Sequence, residues 1–387
     1  MSCGLTLFLC GDVMSGRGVD QIFAYPGVPT LREEYVSNAR AYVESAEAVH
    51  GRINCPVPFC WPWGDALRTL DDLAPDFRVI NLETCITRSD DFEPWKGIHY
   101  RMNPANISFL TAGRPDVCVL ANNHVLDFGP CGLEETLEEL GRAGLRWVGA
   151  GCDAARARRP VAVSTADGTR RLVVLSAGVA SSGIPPDWAA TEDRPGVNVI
   201  PDLSDSTAAR IIDELRGVQR PGDALVVSIH WGSNWGYEVP EDQIHFAHQL
   251  VDGGVHIVHG HSSHHPRPLE VYRDRLILYG CGDLINDYEG ISGQEMYRND
   301  LRLLYLPSVE PHPGRLTGLR MLPVQARQMR LRHACRDDSE WLRGVLTRVS
   351  RRFGTRVDLD PDGMLVLRRT RDRPGTSSGP TGRHLVQ

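Results

Sequence analysis

Residues 224–265 read ALVVSIHWGSNWGYEVPEDQIHFAHQLVDGGVHIVHGHSSHH, and this stretch decides the fold. Two apolar runs, Leu225–Ile229 and Val255–Val258, each end in a polar cluster rich in histidine. The first stops at His230-Trp231-Gly232, the second at His259-Gly260-His261-Ser262-Ser263-His264-His265. Between them, Pro240 to Val251 reads as a helix, with proline at its start and Gly253-Gly254 just past its end. Strand, helix, strand is the βαβ crossover, which brings both clusters to the same carboxyl edge of a sheet, where open α/β sheets keep their chemistry. More than half of the chain's 14 histidines lie within 230–265. A surface or capping role accounts for any one of them but not for their concentration. Neutral imidazole is the commonest metal ligand, so a metal site is expected on this rim.

Working outward, each further apolar run ends the same way. Leu5–Gly11 runs straight into Asp12, Arg78–Leu82 into Glu83, and Asp116–Ala121 into Asn122-Asn123-His124. Taken singly, each polar residue has an ordinary explanation as an Asx turn or a cap. Taken together with the histidines they form a set of carboxylates, an amide and imidazoles suited to two cations. Asn123 can offer its amide oxygen, His124 can act as a general acid or electrostatic clamp, and Asp127, three residues on, can orient it. Asp283 and Asn286 follow the run Leu276–Tyr279 as weaker candidates.

The remaining chain bounds the function class. At 387 residues it accommodates one large α/β domain with appendages, or two domains. A net charge of −7 argues against a nucleic-acid binder. The apolar run Leu5–Cys10 has no basic region before it and no cleavage pattern, so it reads as a buried strand and not a signal peptide. No stretch reaches the ~20 apolar residues of a membrane helix. Ten cysteines without a CxxC or regular framework point to a reduced, cytoplasmic setting, with Cys3, Cys10, Cys118 and Cys281 as small core residues. Residues 25–65 break the strand series with a helix expected over 31–49 and an aromatic loop, NCPVPFCWPWG, at 54–64. Such an insertion serves either as a substrate wall or as a packing cover. A C-terminal helix over 338–353 and a turn at Asp360-Pro361-Asp362-Gly363 between two short strands close the ordered chain, and 370–387 is expected to be a disordered tail.

In order along the chain, GDVM (11–14), NLE (81–83), NNHVLDFG (122–129), HWG (230–232) and HGHSSH followed by LILYGCGD resemble the poly-γ-glutamate capsule-biosynthesis proteins of the CapA type, within the calcineurin-like metallophosphatase superfamily. The resemblance covers roughly residues 5–310 (five ordered motifs). It implies an α/β fold of four layers, αββα, with two mixed sheets face to face. A domain over 1–325, with 25–65 inserted near the site and a helix-plus-hairpin extension over 326–369, follows. It also implies that Asp12, Glu83, Asn123, His230, His261 and His264 hold two divalent metals (Mn, Fe or Zn), with Glu83 bridging them. His124 then takes the catalytic histidine's role, with Asp127 beside it. Three positions depart from the superfamily pattern. Met14 stands where a histidine usually follows the first aspartate by two, His261 and His264 are three apart instead of two, and the bridging carboxylate is Glu.

The expected activity is metal-dependent hydrolysis of a phosphoester in a small molecule, with no nucleic-acid or membrane partner. Hydrolysis or formation of an amide in a γ-glutamyl or other short peptide-like substrate is the alternative within enzymes. The departure at Met14 motivates a third expectation, a non-catalytic assembly factor for a synthetase.

Overall fold

The computed structural model of the chain describes residues 4–310 and 314–370. The alternation along β1 (Leu5–Val13) sets the layering. Leu5, Leu7 and Leu9 turn to one apolar cluster and Phe8 and Cys10 to another, and all five are fully buried. A strand covered on both faces needs apolar residues at every position, which is why this run shows no polar alternation. Along the chain follow β2 (Phe77–Leu82), β3 (Val117–Val119), β4 (Trp147–Val148), β5 (Val161–Ser164), β6 (Arg171–Gly178), β7 (Ala224–His230), β8 (Ile257–His261), β9 (Leu269–Tyr272) and β10 (Arg275–Leu278). The last five are β11 (Asp283–Ile285), β12 (Leu301–Val309), β13 (Leu316–Ala326), β14 (Thr355–Leu359) and β15 (Leu365–Arg369).

They form two large sheets. One runs β14-β15-β13-β12-β1-β2-β3-β4, with β11 alongside β1, and the other runs β9-β10-β8-β7-β6-β5. Both are mixed: β1 pairs parallel with β2 and antiparallel with β12, and β7 pairs parallel with β6 and β8 while β5 is antiparallel to β6. Between the sheets lies one dry cluster, in which Leu7 and Val79 of the first meet Val174, Val226 and Ile257 of the second. The outer face of the first sheet carries α1 (Arg40–His50), α2 (Gly64–Leu73) and α3 (Gly129–Arg142). That of the second carries α4 (Asp205–Arg216) and α5 (Glu241–Asp252), with Ile211, Phe246 and Leu250 against Val173, Val227 and Ile229. This is the four-layer αββα sandwich expected from the sequence. A single doubly wound sheet, which the strand-end pattern alone also allows, is not what forms.

Several local expectations shift. Helix starts only at Arg40, not at residue 31. Residues 29–39 instead fold back on themselves through Leu31 N–H to Ser37 O (2.9 Å) and Ala39 N–H to Pro29 O (2.7 Å). Arg17 draws the Glu33 carboxylate inward at 2.9 Å, which a continuous helix would not permit. The aromatic loop is packed: Ile53, Val57 and Trp63 are buried, and the Trp63 indole N–H donates to Phe109 O at 2.9 Å. The helix Arg336–Ser350 (α6) and the hairpin β14–β15 are present, and β15 pairs antiparallel with β13 so that the hairpin extends the first sheet. The expected tail lies outside the described residues. No helix among the described residues is long and apolar enough to cross a membrane.

Gly11 shows how tightly the site edge is closed. A Cβ there would stand 1.5 Å from the carbonyl oxygen of Gly282, so only glycine lets the chain before β11 lie against β1. Gly11→Ala is expected to lower the urea midpoint of unfolding sharply. Gly318→Ala on β13, where nothing lies within 4 Å, is expected to leave it within experimental error. Equal midpoints for the two variants contradict this account of the closure.

Candidate metal centre

Strand register places the polar ends. Asp12 on β1 lies opposite Asn81 on β2 and Asp283 on β11, and His230 at the end of β7 lies opposite His261 at the end of β8. The first sheet thus supplies carboxylates and the second imidazoles. They meet because the chain leaves the second sheet after β10 and crosses to the first through Gly280-Cys281-Gly282. Cys281 N–H donates to Gly260 O (3.0 Å) and Asp12 N–H to Gly282 O (3.0 Å).

Two groups of ligand atoms form around Asp12: Asp12 with His230 and His261, and Asp12 with His264 and Asp283. Within each group the atoms lie within 4.8 Å of one another. The His230 and His261 Nδ1 atoms are 2.7 Å apart, and His230 Nε2 lies 3.0 Å from Asn123 Oδ1 and 3.7 Å from Glu83 Oε1. His264 Nδ1 is 2.9 Å from Asp283 Oδ1. The Asn81 amide donates to both Asp12 Oδ1 (2.7 Å) and Glu83 Oε2 (2.8 Å), fixing the two carboxylates side by side. Of the six sequence-expected ligands, Asp12, His230, His261 and His264 fall in these groups together with Asp283, and Glu83 and Asn123 lie alongside through His230. Asp12, not Glu83, is the residue common to both groups.

Charge is what the arrangement lacks. Asp12, Glu83 and Asp283 are all at most 2% exposed, and Asp12 Oδ2 has no hydrogen-bond partner. Burial, reinforced by the Asp283 carboxylate, pushes Asp12 up to about 7, and burial beside Asp12 holds Glu83 well above the usual carboxylate range. Burial holds His230 and His261 well below the ordinary imidazole value, leaving them neutral and able to donate a lone pair. Burial opposes the charge on His264 as well, but the adjacent Asp283 carboxylate outweighs it and raises the ring. Clustered carboxylates with an orphaned oxygen, faced by neutral imidazoles, are a donor set that fits divalent cations. Cys10 and Cys281 turn into the apolar clusters and are not part of the donor set.

Beside the cluster, Asn122 makes the Asx turn that presents His124. Its Oδ1 accepts from the main-chain N–H groups of His124 and Val125 (3.1 Å each), while its amide donates to Leu82 O at 2.8 Å. His124 Nδ1 is 2.7 Å from Asp127 Oδ2, and its Nε2 faces Glu83 Oε1 at 4.0 Å. Burial depresses His124 to about 4. Asp127, though burial opposes its charge, is held low by His124 and Lys96, and with Nδ1 between Asp127 Oδ2 and the Lys96 ammonium (3.2 Å) the ring turns Nε2 toward the site. Lys96 completes this relay. Its ammonium donates to Asp127 Oδ1 at 2.5 Å and to the carbonyl oxygen of Asn123. Lys96 escaped the reading of motifs, yet a signal was present, because it is the only lysine in a chain whose other basic residues are all arginine. A compact point charge with three donors fits where a planar guanidinium does not.

The sequence matches the family described as bacterial capsule synthesis protein PGA_cap over residues 6–288. The "probable polyglutamine synthesis accessory protein" of Mycobacterium tuberculosis (strain H37Rv) is 52% identical over 94% of this chain and 96% of its own length. The chain belongs to the bacterial capsule synthesis protein family. The "PGA biosynthesis protein CapA" of Bacillus subtilis is 27% identical over 55% of this chain and 54% of its own. A solved structure described as a novel phosphatase of Mycoplasma pneumoniae aligns with a TM-score of 0.47 at 10% identity, over 84% of this chain and 95% of that one.

Within this capsule synthesis protein the ambiguous histidines separate. His259 is spent on structure, its Nδ1 3.1 Å from Ser228 Oγ and its Nε2 2.8 Å from Cys10 O. His265 stacks on Tyr297 with ring centroids 4.4 Å apart, and its Nδ1 lies 3.1 Å from Pro266 O. Met14 lies buried with its sulfur 3.9 Å from the Tyr288 hydroxyl. Asp283 stands beside Asp12, steadied by the Asn286 amide (2.6 Å), which in turn is held by Arg302 at 2.9 Å. The sequence had ranked Asp283 and Asn286 low because a short strand, β11, is invisible to periodicity.

The folded-state pKa of Asp12 lies above the ordinary aspartate value of 3.8, so without a cation the fold binds that proton more tightly than the unfolded chain does. Its contribution to stability is complete below about 4 and is lost as pH rises to about 7. A cation that claims the carboxylate reverses the loss. Added Mn²⁺ is therefore expected to raise the melting temperature of stripped protein, and by more at pH ~8 than at pH ~5.5, measured by calorimetry.

Proposed function

We propose that this chain is a metal-dependent hydrolase acting on a phosphoester of a small molecule. The observation that carries the reading is the convergence of Asp12, Glu83, Asp283, His230, His261 and His264 at one buried point beside His124. In this reading Asp12 serves both cations, with His230, His261 and Asn123 completing one set and His264 and Asp283 the other. Glu83 lies beside Asp12. The cations, when bound, supply Lewis-acid polarisation of the phosphoryl group and a water activated at neutral pH. The chain's own residues supply the rest. The Asn81 amide holds Asp12 and Glu83 side by side. His124, its Nδ1–H held by Asp127, presents Nε2 to the departing oxygen and delivers a proton there after taking one from solvent. Lys96 keeps Asp127 charged and so keeps the ring oriented.

The catalytic unit in this proposal is residues 1–325, with 326–369 as a supporting extension. A second reading draws support from the name of the mycobacterial relative, which calls that protein an accessory to synthesis. In it the same centre is a structural or regulatory element that docks on a synthetase, or acts on γ-glutamyl amides for it.

Metal analysis is expected to find close to two divalent ions per wild-type chain and fewer in Asp12→Ala, with hydrolysis of generic aryl phosphates falling with the metal. Lys96→Met and Asp127→Asn are expected to keep the metal but lose about 10²- to 10⁴-fold in kcat. Lys96→Arg should not rescue. A fully metallated wild type inactive on phosphoesters and active on γ-glutamyl amides supports the amide reading, and one inactive on both supports the accessory role.

A further inference from the structure

Next to the centre lies a cavity of about 390 Å³. Its floor is in contact with the site: the Trp235 and Tyr288 rings each lie 5.3 Å from the His264 ring, and the Tyr288 hydroxyl lies 3.0 Å from that of Tyr100, whose ring edges His124 at 4.7 Å. Gly97 and Ile98, directly after Lys96, form another part of the wall. The cavity therefore adjoins His264 directly and His124 through the Tyr288–Tyr100 contact.

The lining is apolar, and apolar residues reach solvent there. Tyr35 is 89% exposed, and Ile98 and Ile291 are 41% and 43% exposed, on three separate segments. Exposed large apolar side chains gathered at one mouth mark a binding surface. The charges of the wall exclude an anionic occupant. Its one cation, Arg17, is already ion-paired, with Nε and one terminal nitrogen on Asp287 (3.1 and 2.5 Å) and the other on Glu33 and the Tyr42 hydroxyl (2.9 and 3.0 Å). Both faces of the guanidinium are covered by the Tyr42 and Tyr100 rings, 3.9 and 4.5 Å from its carbon. Four of the five Arg17 N–H groups are taken by those bonds, and its charge is already offset by two carboxylates. Glu34, exposed and without an ion-pair partner among the described residues, adds a negative charge at the rim.

We propose that this cavity holds the leaving group of the substrate and selects an uncharged, flat apolar moiety over an anionic γ-glutamyl chain. The inference rests on the phosphoester reading above and names the substrate class for it. A γ-glutamyl chain carries one carboxylate per residue and would meet Glu33 and Glu34 where the Arg17 charge is already offset, whereas an aryl group buries its faces against Trp235, Tyr288 and Ile291.

Inert phosphonates test this on the full chain loaded with Mn²⁺, by titration calorimetry. Benzylphosphonate is expected to bind at least about tenfold more tightly than methylphosphonate, and 4-carboxybenzylphosphonate to lose most of that gain. Glu34→Lys, a change at an exposed position, is expected to narrow the gap between the benzyl and carboxybenzyl compounds. Metal-dependent binding of methylphosphonate with no gain from the ring, or a carboxybenzyl compound that binds best, overturns the pocket assignment and leaves the phosphoester reading standing. No metal-dependent binding of any phosphonate overturns both.

Discussion

Three carboxylates buried at one point constrain everything else in this protein. Asp12, Glu83 and Asp283 are out of water, close together and short of cations, a combination that proteins avoid unless a charge is brought to it. The Asn81 amide, the imidazoles from the second sheet and the ammonium of Lys96 moderate the repulsion without abolishing it, since Asp12 Oδ2 stays unpartnered. The fold must hold these groups in place against their mutual repulsion, and the dry cluster between the sheets and the two outer layers supply that rigidity.

The means is a crossing. Parallel strands deliver polar residues to one edge of each sheet, but two sheets stacked face to face leave those edges separate. The segment Gly280-Cys281-Gly282 joins them, hydrogen-bonded to Gly260 on one side and Asp12 on the other. His259, by reaching the carbonyl of Cys10, ties the same two sheets from within. That histidine looks like a ligand in the sequence and is a structural strut in the molecule. Its neighbours His261 and His264 turn instead to His230 and Asp283.

Around the centre the side chains divide by function. Asn122, Asn286 and Arg302 shape and steady the groups that face the cluster. The loop 54–64 belongs to the outer packing, while the stretch from Glu33 to Tyr42 borders the cavity beside His264.

Residue order alone reveals the long strands, the polar residues at their ends and the family motifs that order them, because a strand covered on both faces must be continuously apolar and then break where it meets the site. It also showed which residue types gather, since carboxylates, an amide and imidazoles recur at those breaks. Only the tertiary structure decided which of them share a point. Asp283 sits on a strand of three residues, too short for any period, and reaches Asp12 solely through pairing between segments 271 positions apart. Lys96 lies in a loop with no pattern at all, and its partners Asn123 and Asp127 come to it through space. Periodicity records which face of an element is buried, whereas proximity between distant loops is fixed by how the two sheets pack and cross.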